Sequence, residues 1–289
     1  MSHPASRWRI LIAGCGFVGQ ALGRRLAPRG HRIWGIRRTP GPPVAGIEAI
    51  TADLARPLDP DLLPSSPDFI VYLVSSKSRS DEAYRTAHVD GLSNLITGLT
   101  LAGTQPTRLL VASSTGVYPH SAGEWVAEET PVKPTDTSSR RLCEGEALAL
   151  SAPFPATVVR FAGIYGAGRI RLLRRIARGE PTCAEGPPEY SNRIHVEDCA
   201  AVLEHLMRLD SPHNLYVASD DEPVDRCELA GWLADALGVP PADPLPRTAG
   251  PARGNKRCSN RRLKQSGYRF LFPTFREGYR QIIEAGCEI

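Results

Sequence analysis

The sequence predicts an α/β protein, a doubly wound parallel sheet with a small C-terminal lobe interleaved into it. Three observations carry this reading. Short apolar runs alternate with helix-period segments through Phe161, the rhythm of βαβ units. A glycine-rich loop stands between the first apolar run and the first helical segment. From Gly163 onward the alternation breaks into shorter elements, with Pro and Gly clustered around 179–188 and 238–254.

Each element follows from its local pattern. Trp8 to Ala13 reads as the first strand, and Phe17 to Ala27 as its helix, with Val18, Leu22 and Leu26 at helical spacing. Arg32 to Ile36, Ile47 to Thr51 and Asp68 to Val74 read as strands two to four. The last is a continuous apolar run, as expected of a strand covered on both faces. A long helix over about 81–101 leads to a fifth strand, Arg108 to Ala112, and a helix over 140–150 leads to a sixth, Ala156 to Phe161. A helix from Val196 to Leu209 and a strand from Leu215 to Ala218 then return to the sheet. The expected division is residues 1–165 as the sheet domain and 166–289 mainly as the substrate lobe, with 195–219 belonging to the sheet.

Composition bounds the function. A chain of 289 residues, 42% hydrophobic and 23% charged, can bury a large core. No stretch has the roughly 20 apolar residues of a membrane span, and the polar first residues do not read as a secretory signal; a cytoplasmic protein without membrane partners is expected. The net charge of +4 is spread along the chain, with no basic patch interleaved with aromatics, so nucleic acid is not an expected partner. Seven scattered cysteines, none in a C-x-x-C pair, predict reduced, packing thiols and no metal site.

The first chemical signal is Gly14-Cys15-Gly16-Phe17-Val18-Gly19. After a strand and opening a helix, this G-x-G-x-x-G reads as the loop of an NAD(P)-binding Rossmann fold. Gly14 permits the tight turn, Gly16 lets the backbone approach a pyrophosphate, and Gly19 allows helix and strand to pack closely. The helix N-terminus adds unpaired amides and a positive dipole. An NAD-specific fold places a carboxylate about 20 residues further on, yet no Asp or Glu occurs from Gln20 through Ile47, and the second strand ends Ile36-Arg37-Arg38-Thr39. Two guanidiniums suit a 2′-phosphate, so NADP is expected, with NAD as the alternative. Asp53, followed by Leu54 after the third strand, is placed to accept from the adenine amino group.

Three further segments resemble the extended short-chain dehydrogenase/reductase superfamily, the NAD-dependent epimerase/dehydratase type. They are Ser113-Ser114-Thr115-Gly116-Val117-Tyr118, Val158 to Arg169 (VVRFAGIYGAGR), and Asn192 to Ala200 (NRIHVEDCA). The resemblance covers most of the chain and implies a dinucleotide cofactor and a Ser hydroxyl that orients the substrate oxygen, here Ser114. It also implies a Tyr, with a Lys four residues on, acting as acid/base. This chain departs there, having no Tyr between Tyr118 and Tyr165. Counting back from Glu146, the acidic residue often found on that helix, puts Ser138 and Leu142 at the two positions; a shift of one residue puts Thr137 and Arg141 there. Neither frame restores the pair. Arg141, or Arg140, could hold a ribose hydroxyl, and Arg141 is placed in the cofactor set with Phe17, Val18 and Leu54.

Other ionisable groups are weighed for the missing acid/base role. Tyr165 and His195 could move a proton, but the resemblance implies packing for the first and helix capping for the second. Glu124, Glu128 and Glu129 lie in the polar loop after the fifth strand. Nucleotide-sugar enzymes of this type usually carry an Arg four residues before the His of the His-Val segment, where this chain has Ser191. Arg169, Arg171, Arg174 and Arg175 could clamp an anion or face solvent on one basic helix. The expected function is an NAD(P)-dependent oxidoreductase or epimerase/dehydratase-like enzyme acting on a small polar carbonyl or alcohol, lacking the usual Tyr-Lys pair. The alternative is a non-catalytic NAD(P)-binding redox sensor. A homodimer is compatible with either.

Overall fold

The computed structural model describes residues 7–246 and 254–286. Its strands are β1 (Arg9–Ala13), β2 (Arg32–Arg37), β3 (Glu48–Thr51), β4 (Phe69–Tyr72), β5 (Arg108–Ser114), β6 (Glu124–Val126), β7 (Ala156–Phe161), β8 (Gly163–Tyr165), β9 (Tyr190–Ser191), β10 (Arg193–His195), β11 (Leu215–Ala218), β12 (Val224–Asp225) and β13 (Lys256–Cys258). The α-helices are α1 (Phe17–Leu26), α2 (Asp81–Arg85), α3 (Gly91–Leu101), α4 (Thr137–Leu150), α5 (Arg171–Ala177), α6 (Val196–Arg208), α7 (Arg226–Leu237), α8 (Arg261–Gln265) and α9 (Phe275–Glu284).

Seven strands form the central sheet in the order β11-β7-β5-β4-β1-β2-β3. β1 pairs parallel with both β2 and β4, and the parallel pairing extends to β3 and β5. The chain therefore winds outward from β1 in one direction through β3 and in the other from β4. Between β1 and β4 lies the switch point where open α/β sheets take ligands. Crossovers between parallel strands cover both faces, which is why β4 is buried at every position.

The chain forms two compact units, one of 1–117, 134–160 and 199–216, the other of 118–133, 161–198 and 217–289. In the first, Leu11, Ile70, Leu92, Leu95, Leu99 and Leu109 are fully buried in one core. Each such side chain contributes about 1.5–3 kcal/mol by leaving water. The second has its own core, with Leu173, Leu233, Phe275 and Ile282 at its centre.

The expected elements appear within a residue or two, save that α4 begins three residues early, at Thr137, and there are two informative differences. The single helix expected over 81–101 is interrupted by a π-helical turn at Thr86–Asp90. There the Tyr72 hydroxyl donates to the Ala87 carbonyl at 2.6 Å, and the backbone bulges against Gly145 of α4, where a Cβ would stand 2.3 Å from the His88 carbonyl oxygen. The second difference corrects the expectation of reduced cysteines. Cys183 and Cys227 form a disulfide across 44 residues, tying the loop before β9 to the first turn of α7. Two half-buried sulfurs brought together by tertiary structure leave no local spacing to read. Cys15, Cys143, Cys199 and Cys258 are free, and Cys287 lies outside the described residues. No helix of the described residues is long and apolar enough to cross a membrane.

Candidate functional site

The carboxyl ends of β1, β2 and β4 open onto a cavity of about 630 Å³ in the first unit. Gly14, Cys15 and Gly16 form one wall, Arg37 and Arg38 another, and Asp53 with Leu54 a third. Each glycine of the loop answers a different constraint. Gly14 has φ +87°, and a Cβ there would lie 2.7 Å from the Val74 amide nitrogen, so the turn presses against the end of β4. At Gly19 a Cβ would meet Ile12 Cγ2 at 2.9 Å, which is the close packing of helix on strand. At Gly16 it would meet only the Gly14 carbonyl oxygen, 4.0 Å away. Position 16 is thus bare without being crowded, as a cradle for a ligand's phosphates requires. Gly16 is also the N-cap of α1, whose first turn carries no acidic side chain to compete for an anion.

Arg37 is half committed. Its Nε donates to the Cys15 carbonyl at 2.7 Å, its Nη1 reaches the Pro42 carbonyl at 3.5 Å, and its buried Nη2 has no partner. Arg38 is exposed on the cavity rim. Asp53 accepts from the Ala55 amide at 3.1 Å and so also fixes its own turn. The structure gathers Gly14, Gly16, Arg37, Arg38, Asp53 and Leu54 around the cavity. Phe17, Val18 and Gly19 lie behind it in α1, Val18 buried. Sequence reasoning missed Ser75, Ser76, Lys77 and Thr86, which line the same cavity; their signal was position just beyond β4, at the ligand end of the sheet.

Ser114 ends β5, half-buried, its Oγ accepting from the Gly116 amide at 3.0 Å. It lies outside the cavity lining. Its neighbour Ser113 donates to Glu146 Oε1 at 2.6 Å, and Glu146 is held by Arg160 through Nε at 2.9 Å and Nη2 at 2.6 Å. This buried network pins α4 to β5 and β7. Helix α4 begins with a capping box, Asp136 accepting from the Ser139 amide at 2.8 Å. On it Ser138 is half-buried and Leu142 buried. Arg141 makes a two-pronged pair with Asp81 at 2.7 and 2.8 Å and a further bond to Glu144 at 2.8 Å, so its donors are engaged by carboxylates, and it is not part of the cavity lining.

The second unit holds the other candidates. Burial foremost raises the Tyr165 phenol pKa, and the ring stacks on Tyr279 at 4.4 Å. Burial lowers His195 to about 4; its Nδ1 accepts from the Glu197 amide at 3.3 Å, a capping contact at the start of α6. Glu128 is buried, its carboxyl pushed up by desolvation while it accepts from the Val217 amide at 2.7 Å. Glu124 and Glu129 are exposed and held below the ordinary carboxylate range, chiefly by backbone amides. Glu129 also pairs with Arg262. Arg175 of the short basic helix α5 pairs with Glu180 at 3.0 Å, while Arg171 is exposed.

A parallel sheet with a glycine cradle at its switch point defines a dinucleotide-binding α/β protein of the Rossmann type. The profile of the NAD dependent epimerase/dehydratase family matches residues 10–218, and the chain belongs to that family, one of epimerases, dehydratases and related reductases. Among its relatives, the epimerase family protein SDR39U1 of Bos taurus is 24% identical, covering 95% of this chain and 99% of its own. The 2-alkyl-3-oxoalkanoate reductase of Stenotrophomonas maltophilia is 27% identical over 81% of this chain and 77% of its own. A solved NAD-dependent epimerase/dehydratase-type protein from Methylobacillus flagellatus is 36% identical, with TM-score 0.79 over 98% of this chain and 100% of its own. MoeE5, solved with UDP-glucose and NAD, is 23% identical with TM-score 0.81 over 96% of this chain and 97% of its own, a likeness of fold.

Proposed function

We propose that the chain is an NADP-dependent oxidoreductase or epimerase/dehydratase-like enzyme for a small polar carbonyl or alcohol, working without the Tyr-Lys pair. The single observation that carries this reading is the cradle: Gly16 opens on the cavity that Arg37 and Arg38 share. Gly14, Gly16 and the first turn of α1 would hold the pyrophosphate. Asp53 and Leu54 would meet the adenine, and Arg38, with the unpartnered edge of Arg37, the 2′-phosphate. When bound, the nicotinamide supplies or accepts the hydride. Ser114 orients the substrate oxygen by hydrogen bonding. Leu142 offers no ammonium, and Ser138 is too weak an acid to replace a phenol. The protein's part is thereby reduced to positioning and exclusion of water. Ser191, at the place of the usual diphosphate-clamping Arg, speaks for a substrate smaller than a nucleotide sugar.

One well-formed charge-assisted hydrogen bond contributes about 1.5–3 kcal/mol, so the two arginines should favour NADP over NAD by tenfold to several hundredfold at low salt, less as salt screens the rim. Isothermal titration with both cofactors checks this. Arg37→Ala with Arg38→Ala should weaken NADP and leave NAD nearly unchanged; equal affinities in the unaltered protein would refute the preference. Following NADPH oxidation over a panel of small aldehydes and ketones tests the enzymatic part. Tight binding without turnover across the panel would favour the redox-sensor reading.

A further inference from the structure

Gly41 lacks a side chain for a reason its own backbone does not supply. Its φ is not positive, so no left-handed turn calls for glycine there. It stands in the run Thr39-Pro40-Gly41-Pro42-Pro43, and Thr39, Pro40 and Gly41 line the first unit's cavity together with Arg37 and Arg38. A side chain at position 41 would collide with one group only. Its Cβ would stand 2.7 Å from Arg37 Nη1, and the sole other atom within 4 Å, its chain neighbours aside, is Arg37 Cζ at 3.9 Å.

Stiffness decides which side of that collision yields. Proline fixes φ near −65°, and the residue before a proline is confined to extended conformations, so Pro40, Pro42 and Pro43 leave the loop little room to give. Arg37 meets it with the far end of a flexible side chain. Its Nε is tied to the Cys15 carbonyl at 2.7 Å. Cys15 is itself anchored to the end of β2, where the Gly14 and Cys15 amides both donate to the Ile36 carbonyl, at 3.1 and 3.0 Å. Nη1 is held only by the 3.5 Å contact to the Pro42 carbonyl. The guanidinium is a rigid plane. Pushing Nη1 aside therefore swings the plane about its bond to Cys15 and carries with it Nη2, which has no partner. Hydrogen bonds to a phosphate weaken steeply with such misalignment.

We propose that Gly41 is a positioning residue for recognition of the NADP 2′-phosphate: by leaving room for Nη1 it sets the angle of the Arg37 fork. The proposal rests on the NADP reading above and deepens it by naming what orients one of the two arginines. Gly41 acts through Arg37 alone.

Isothermal titration of NADP and NAD into four forms of the full chain tests this: the unaltered protein, Gly41→Ala, Arg37→Ala, and the two substitutions together. Gly41→Ala should weaken NADP about tenfold and NAD by less than about twofold, with the thermal unfolding midpoint unchanged. With Arg37 already replaced, Gly41→Ala should change neither affinity, because both substitutions act through one group. A merely structural glycine would instead weaken both cofactors, lower the unfolding midpoint, or keep its effect once Arg37 is gone. Any of these results, or an undiminished NADP preference in Gly41→Ala, overturns the proposal while a preference in the unaltered protein leaves the NADP reading in place. Equal affinities in the unaltered protein overturn that reading and the proposal with it, so the two failures are told apart.

Discussion

The glycine loop and helix α4 lie in the same unit, but they would meet a ligand with different material. The loop offers backbone: amides at a helix N-terminus and a bare position at Gly16. Helix α4 offers side chains, and at the positions that the resemblance assigns to the acid/base pair it would present Ser138 and Leu142 or, one residue earlier, Thr137 and Arg141. A backbone cradle depends on shape, which tolerates almost no substitution, whereas a catalytic side chain can change while its helix stays in place. The network of Ser113, Glu146 and Arg160 keeps α4 docked regardless of what its outer turn presents.

The largest expected effect breaks that docking. Arg160→Ala leaves Glu146 as a buried charge without its cation, which should cost about 3–5 kcal/mol. Denaturant unfolding checks it, and a loss under 1 kcal/mol would mean that α4 is held by packing alone.

A second effect sharpens the contrast between side chains that hold structure and side chains that do chemistry. His195 is buried, its Nε2 unpartnered, and its pKa lowered from 6.5 to about 4 by desolvation. Between those values the unfolded chain takes up a proton that the folded chain refuses. The His195 contribution is therefore flat above about pH 6.5 and costs up to about 3 kcal/mol as the pH drops toward 4, and His88, lowered to about 4 by its own burial, acts in the same direction. His195→Gln should reduce the slope of that limb by about half, leaving the His88 share; an unchanged slope would assign the acid sensitivity elsewhere.

How much of this was legible beforehand follows the same division. The loop could be read because strand, turn and helix are contiguous, and each glycine's task follows from local geometry. The departure on α4 was equally plain, since the missing Tyr and Lys are absences in the sequence itself. What could not be read depends on distant partners. Arg141 pairs with Asp81, 60 residues earlier, and no local pattern announces that pair. The Cys183–Cys227 bond depends on distant segments in the same way. The π-helical turn at Thr86–Asp90 has no local signal either, and the residues it packs against, Tyr72 and Gly145, lie on other elements.

A smaller effect concerns Ser114. Ser114→Ala should lower turnover more than tenfold, at least about 1.4 kcal/mol of transition-state stabilisation, with cofactor affinity little changed. Its Oγ otherwise only caps the Gly116 amide, so a matched loss of stability and turnover would mark it as structural.

The most direct measurement of the central claim sets two glycines of the loop against each other. At Gly14 a side chain meets backbone at 2.7 Å in a left-handed conformation, while at Gly16 it meets open space. Gly14→Ala should therefore destabilise the fold by about 2–4 kcal/mol. Gly16→Val, at the N-cap of α1, should cost only about 1 kcal/mol of stability yet bind NADPH at least about 100-fold more weakly by isothermal titration, about 2.7 kcal/mol. A folded Gly16→Val protein that binds NADPH as tightly as the unaltered chain would contradict the account and move the dinucleotide away from this loop.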